Sequence, residues 1–182
     1  MAERSTYPVE IAGVKRELTL FEVKPGVKIA VLNILGDTEL VEAAAQELVE
    51  KLGDSFEAFV TAESKSIPLA YALSVKAKKP YIVLRKDYKP YMGDALQTET
   101  LSITTGRPQK LYLDEKDRNL INGKRVVIVD DVISTGSTLQ GMRSLMDQSN
   151  AEVVAEAAIF TEGDEEMWDK IVSLGHLPVF VE

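Results

Sequence analysis

Val126-Val127-Ile128-Val129-Asp130-Asp131-Val132-Ile133-Ser134-Thr135-Gly136-Ser137-Thr138 is the stretch whose reading decides the fold. Four apolar residues in a row, three of them valine, suit a strand buried on both faces, as in a parallel sheet. Two carboxylates stand where that strand ends. A small, hydroxyl-rich turn containing Gly136 follows, and Leu139, Met142, Leu145 and Met146 then recur at helical spacing. In open α/β sheets ligands bind beyond the carboxyl ends of the strands. A turn that feeds a helix start presents unpaired backbone N–H groups and a favourable dipole to a phosphate. Gly136 lets backbone come close, and Ser134, Thr135, Ser137 and Thr138 add hydroxyl donors. Asp130 and Asp131 would repel a phosphate; they suit sugar hydroxyls, or magnesium held directly or through water. The stretch therefore describes a site for a phosphorylated sugar.

Outward from it, strands and helices alternate. Tyr81 to Leu84 is a second continuous apolar run, Phe56 to Thr61 a third strand and Val153 to Phe160 a fourth. Asp37 is placed to cap a helix carrying Leu40, Val41, Ala44, Leu48, Val49 and Leu52, which Gly53 stops. Ile67 to Lys76 reads as a helix with Pro68 in its first turn. Glu17 to Val23 and Val27 to Ile34 alternate as strands around a Pro25-Gly26 turn. A last helix is expected near Glu165 to Leu174, holding Trp168 for packing, before Val179 to Val181. His176 is expected at a surface or capping position, and the acids from Glu162 to Glu166 at a solvated helix start. The β-α-β order implies an α/β sheet with right-handed crossovers. Lys86 to Gly106 is polar, carries Pro90 and Gly93, and breaks the rhythm; a loop so long in a compact domain is usually functional.

Composition narrows the chemistry. The 182 residues fit one domain with a full core. There is no cysteine, so thiolate chemistry and disulfides are excluded, and one histidine, His176, leaves little for a histidine metal cage. A net charge of −8 argues against bulk nucleic-acid binding. No stretch approaches a membrane span and the first six residues lack a signal peptide's apolar segment, so the expected location is cytoplasmic.

The Val126–Thr138 stretch resembles the phosphoribosyl-pyrophosphate (PRPP) signature of type I phosphoribosyltransferases, and each of its thirteen positions is acceptable to that signature. The resemblance, closest to the adenine and purine enzymes, runs over roughly residues 37–160. It implies a central, mainly parallel sheet flanked by helices in a single domain. The core would occupy about 37–160, a small hood about 1–36 plus 161–182, and a flexible lid about 87–106. By that resemblance Asp130 and Asp131 contact the ribose hydroxyls, and Ser134, Thr135, Gly136, Ser137 and Thr138 cradle the 5′-phosphate. Glu63-Ser64-Lys65-Ser66 stands where the family keeps its pyrophosphate loop, with Lys65 in place of an arginine. Arg85, Lys86 and Lys89 match the basic opening of the flexible loop, so Arg85 or Lys86 would bind pyrophosphate and Lys89 would ride on the lid, next to the reaction.

The implied activity is transfer of ribose-5-phosphate from PRPP to a purine, adenine being the first expectation. Magnesium would be carried mainly by PRPP and water rather than by protein ligands. A homodimer is implied as well. The lid departs from the adenine enzymes: Thr104 stands in place of their glutamate and Thr105 in place of a tyrosine, with Glu99 nearby. A threonine is no carboxylate base. That departure supports a second reading, a regulator that senses PRPP without catalysis. A receiver-like signalling domain, the third, fails because its acids do not follow a late strand with such a turn attached.

Overall fold

The structure, a computed structural model, describes residues 4–101 and 108–181. Its centre is a five-stranded sheet in the order β10-β9-β8-β4-β5, every neighbouring pair parallel. These strands are β4 (Ala58–Ala62), β5 (Tyr81–Leu84), β8 (Arg125–Ile133), β9 (Glu152–Glu162) and β10 (Val172–Leu177). A second, four-stranded sheet in the order β1-β2-β3-β11 is built from β1 (Thr6–Ile11), β2 (Val14–Lys24), β3 (Val27–Val31) and β11 (Val179–Val181), all antiparallel. An antiparallel pair, β6 (Leu96–Leu101) with β7 (Pro108–Leu113), completes the β structure of the described residues.

β8 is buried through Val126, Val127, Ile128 and Val129, as a strand covered on both faces must be. Alternation divides these residues between two cores. Val127 and Val129 join a cluster with α1 (Thr38–Leu52), α2 (Ile67–Ala77) and the small sheet; Val126 and Ile128 join one with α4 (Ser137–Gln148) and β7. The Asp37 side chain accepts from the Leu40 N–H and is gripped by Arg16 of β2, at 2.7 and 2.8 Å. The cap, worth about 1 kcal/mol on its own, thereby also fastens the small sheet to α1. That guanidinium is the main reason the Asp37 carboxyl is held below its ordinary value. No helix among the described residues is long and apolar enough to cross a membrane.

Two expectations change. Glu165 to Leu174 is not a helix: it is a 3-10 turn at Glu165–Trp168 followed by β10, which lies parallel to β9 with Gly175 opposite Phe160. The stretch from residue 86 onward is not one long loop: it holds a 3-10 turn at Pro90–Met92 and then β6, and residues 102–107 lie outside the described residues. A short helix, α3 (Glu115–Ile121), capped by Asp114, carries no apolar periodicity that would announce it. β6 runs across α4 where Gly141 leaves room, since a Cβ there would stand 2.7 Å from Thr100 Cγ2.

Candidate functional site

The carboxyl ends of β4 and β8 lie side by side, and the turns that leave them build one cleft of about 350 Å³. From β4 come Glu63, Ser64, Lys65 and Ser66; from β8 come Asp130 and Asp131, with Thr138 from the first turn of α4. Lys86 and Gln109 close its outer side. Residues far apart in the chain thus converge because a parallel sheet collects the carboxyl ends of its strands on one edge.

The β4 turn is held by a buried latch. The Thr61 hydroxyl donates to the Val129 carbonyl at 2.8 Å, so it accepts from Ser66 Oγ, 2.7 Å away. Ser66 is buried and its hydroxyl also lies 3.2 Å from the Ala62 carbonyl. The Glu63–Ser64 peptide is cis. Glu63 turns outward and accepts from the Arg85 guanidinium and from the Lys86 backbone N–H, 2.8 Å away. The hydrogen bonds Arg85 donates to Glu63 and to Tyr91 raise its pKa. Arg85 therefore faces a neighbouring surface cleft with Tyr81, Tyr91 and Asp117, and it does not line the cleft of the paired aspartates. Lys89, at the start of the 3-10 turn, does not line it either.

Lys65 reaches inward. Its ammonium lies 3.3 Å from Asp131 Oδ2 and 3.4 Å from the Leu32 carbonyl of the β3–α1 connection. Asp131 is almost buried, and the same oxygen has no hydrogen-bond partner, so the Lys65 contact is ionic without hydrogen-bond geometry. Asp130 accepts from the Asp131 backbone N–H at 2.9 Å. Burial first, then the adjacent Asp131 carboxylate, push the Asp130 carboxyl well above the usual range.

The turn after β8 wraps a small pocket of about 40 Å³ lined by Asp130, Ser134, Thr135, Gly136 and Thr138 among others. Gly136 has φ 75° and no side chain caps α4, so the N–H groups of its first turn have no side-chain cap. Thr135 and Ser137 share a hydrogen bond of 3.1 Å. A Cβ on Gly136 would meet the Trp168 ring at 2.9 Å. Trp168 thus packs on this turn, its indole N–H donating to the Glu162 carbonyl at 3.0 Å.

The structure therefore gathers Glu63, Ser64, Lys65, Ser66, Lys86, Asp130, Asp131 and Thr138 in one cleft, with Ser134, Thr135 and Gly136 in the adjoining pocket. Thr104, Thr105 and Gly106 lie outside the described residues, and Glu99 is exposed on β6 opposite Lys110. Thr61, Gln109 and Trp168 were not singled out as site residues. Thr61 carried a signal, a lone hydroxyl in an apolar strand run; Gln109 carried none.

The profile of the phosphoribosyl transferase domain family matches residues 31–175, and the chain belongs to that family. Its fold is the type I phosphoribosyltransferase fold, also seen in the adenine phosphoribosyltransferase of Thermoanaerobacter pseudethanolicus (TM-score 0.67, 20% identity, covering 94% of this chain and 95% of that one). The purine biosynthesis transcriptional repressor PurR of Bacillus subtilis is 29% identical over 155 residues, 84% of this chain and 54% of that protein. The xanthine phosphoribosyltransferase of Finegoldia magna is 30% identical over 147 residues, 75% of this chain and 74% of that one. The chain spans about half the length of the regulator it matches.

Proposed function

We propose that this protein is a PRPP-dependent phosphoribosyltransferase acting on a purine base. The observation that carries the reading is the shared cleft, in which a cation-bearing turn after β4 faces a paired-aspartate, hydroxyl-rich turn after β8. In the reaction the bond from the anomeric carbon to pyrophosphate breaks, and a bond from that carbon to a ring nitrogen forms on the opposite face. The nitrogen's proton leaves to water or with the pyrophosphate.

The residues divide the work by chemistry. Asp130 and Asp131 accept from the ribose hydroxyls and favour positive charge developing on the sugar. Ser134, Thr135, Gly136, Ser137 and Thr138 hold the 5′-phosphate through hydroxyls and backbone N–H groups. Lys65, Lys86 and the Glu63–Ser66 backbone take the pyrophosphate, and Arg85 holds Glu63 and with it the turn. Lys89 and the lid of residues 87–106 close over the leaving group and keep water from the anomeric carbon. The small sheet, β1 to β3 with β11, forms the hood, while β10 extends the central sheet of the core rather than joining the hood.

Magnesium fits the site on one count: Asp131 Oδ2 is a buried carboxylate oxygen without a hydrogen bond, the hard donor this ion takes. Asp130 and Asp131 would hold it, chiefly through water, and when bound it supplies neutralising charge for the pyrophosphate. A cytoplasmic homodimer belongs to the same reading, and sedimentation velocity tests the dimer.

Pyrophosphate release is measured with PRPP, magnesium and a panel of adenine, guanine, hypoxanthine, xanthine and pyrimidines. Release with one purine is the expected result, adenine being the first candidate. One observation favours a second reading: the similarity to a transcriptional repressor over 84% of this chain. PRPP-induced thermal stabilisation without release from any base would establish a PRPP sensor instead.

A further inference from the structure

Glu162 is a largely buried residue whose carboxylate neither the fold nor the ribose site uses. It ends β9, opposite Leu177 of β10, at the carboxyl edge of the central sheet. Its residue is 9% exposed, and among the described residues its carboxylate makes no hydrogen bond or ion pair. His176, the charged partner nearest in kind among the described residues, is already occupied. His176 Nε2 lies 3.1 Å from the Gly163 carbonyl, which can only accept, so that nitrogen carries the proton; Nδ1 meets the Thr161 hydroxyl at 2.9 Å. Burial raises the Glu162 pKa, with His176 opposing. Its oxygens keep some access to solvent, so water serves them in the free protein and a ligand donor can take that water's place.

Its position says which partner. The sheet order runs β10-β9-β8-β4-β5. On the reading proposed above, ribose sits over the end of β8 and pyrophosphate over the turn after β4. Displacement with inversion brings the acceptor from the side opposite the leaving group, which is the side of β9 and β10. Glu162 stands there. It is tied to the phosphate turn through one side chain, because its carbonyl holds the Trp168 indole that packs against Gly136.

We propose that the Glu162 carboxylate accepts a hydrogen bond from an exocyclic amino group of the acceptor base, making it a specificity residue for aminopurines over their oxo counterparts. An oxo group at the same place would set two acceptors against each other, and rejection of that kind is strong because the buried group stays unpaired. The inference rests on the transferase site assignment but not on turnover.

The test is therefore binding of AMP, GMP and IMP, with ribose 5-phosphate as control, to the wild-type protein and to Glu162→Gln. Wild-type protein should bind AMP or GMP tighter than IMP by about tenfold or more. Glu162→Gln, whose amide also donates, should remove most of that preference and leave ribose 5-phosphate affinity unchanged. A cooperative melting transition shows that the variant folds; if it does not, Glu162→Met carries the same test. An unchanged preference in the variant, no preference in the wild type, or an equal loss for ribose 5-phosphate would each overturn the proposal. Failure of pyrophosphate release with every base would count against the transferase reading alone, since nucleotide binding decides Glu162 separately.

Discussion

Asp130 and Asp131 are chain neighbours with different surroundings. Asp131 has the Lys65 ammonium at 3.3 Å; Asp130 has burial and a like charge beside it. A carboxyl whose pKa is raised on folding binds its proton more tightly in the native state. Stability is therefore lost as pH rises from the ordinary carboxylate value through the raised native one. Asp130→Asn should accordingly melt higher than wild type at pH 7–8, by about 2–4 °C if the relief is about 1 kcal/mol in a domain of this size. The gain should vanish in acid, below the ordinary carboxylate range. Thermal midpoints across pH check this, and a lower midpoint at neutral pH would contradict the assignment. The double change Asp130→Asn with Asp131→Asn should keep the fold while cutting PRPP-dependent turnover about a hundredfold or more, the scale of removing groups aimed at developing charge. Equal turnover would remove both residues from the site.

At the scale of elements, Gly141 shows how closely the β6–β7 pair rides on α4. Gly141→Val would place atoms against Thr100 Cγ2 and Leu111 Cδ1, where even a Cβ stands at 2.7 and 3.1 Å. Overpacking of this kind costs about 1–3 kcal/mol, read as a lower denaturant midpoint. The central strands and the helices at 38–52, 67–77 and 137–148 were legible in the sequence, because β-branched runs, Asp37 as cap and helical spacing are local signals. β10 was not. Met167, Trp168, Ile171, Val172 and Leu174 imitate a helical stripe, and only the non-local ladder to β9 makes Val172–Leu177 a strand. The polar alternation of β6 was lost inside an apparent loop for the same reason. That the paired aspartates and the hydroxyl-rich turn stand at the carboxyl end of a central strand followed from residue type and position, while the Glu63–Ser66 turn was placed by the family resemblance. That Lys65 reaches Asp131 while Arg85 is engaged by Glu63 was not, since those choices depend on where turns point.

For the whole molecule, ligand and fold are coupled because the cleft draws residues from β4, β8, α4 and β7 together. A ligand that binds only the native state at one hundred times its Kd adds about 2.7 kcal/mol. PRPP with magnesium should therefore raise the thermal midpoint by roughly 5–10 °C. This holds for enzyme and sensor alike, so a null result would count against both readings.

The small sheet has a history as well as a geometry. β3 finds its outer neighbour, β11, only when the chain reaches Val179, which pairs with Ile29 ahead of Phe180 with Lys28 and Val181 with Val27. On a ribosome adding 5–20 residues per second, the 150 residues between them take roughly 8–30 s. For that interval the nascent chain carries a β-branched strand, Val27 to Val31, with one flank of its backbone open. Lys24 and Lys28 are the charges placed to discourage a second nascent chain from completing the ladder first.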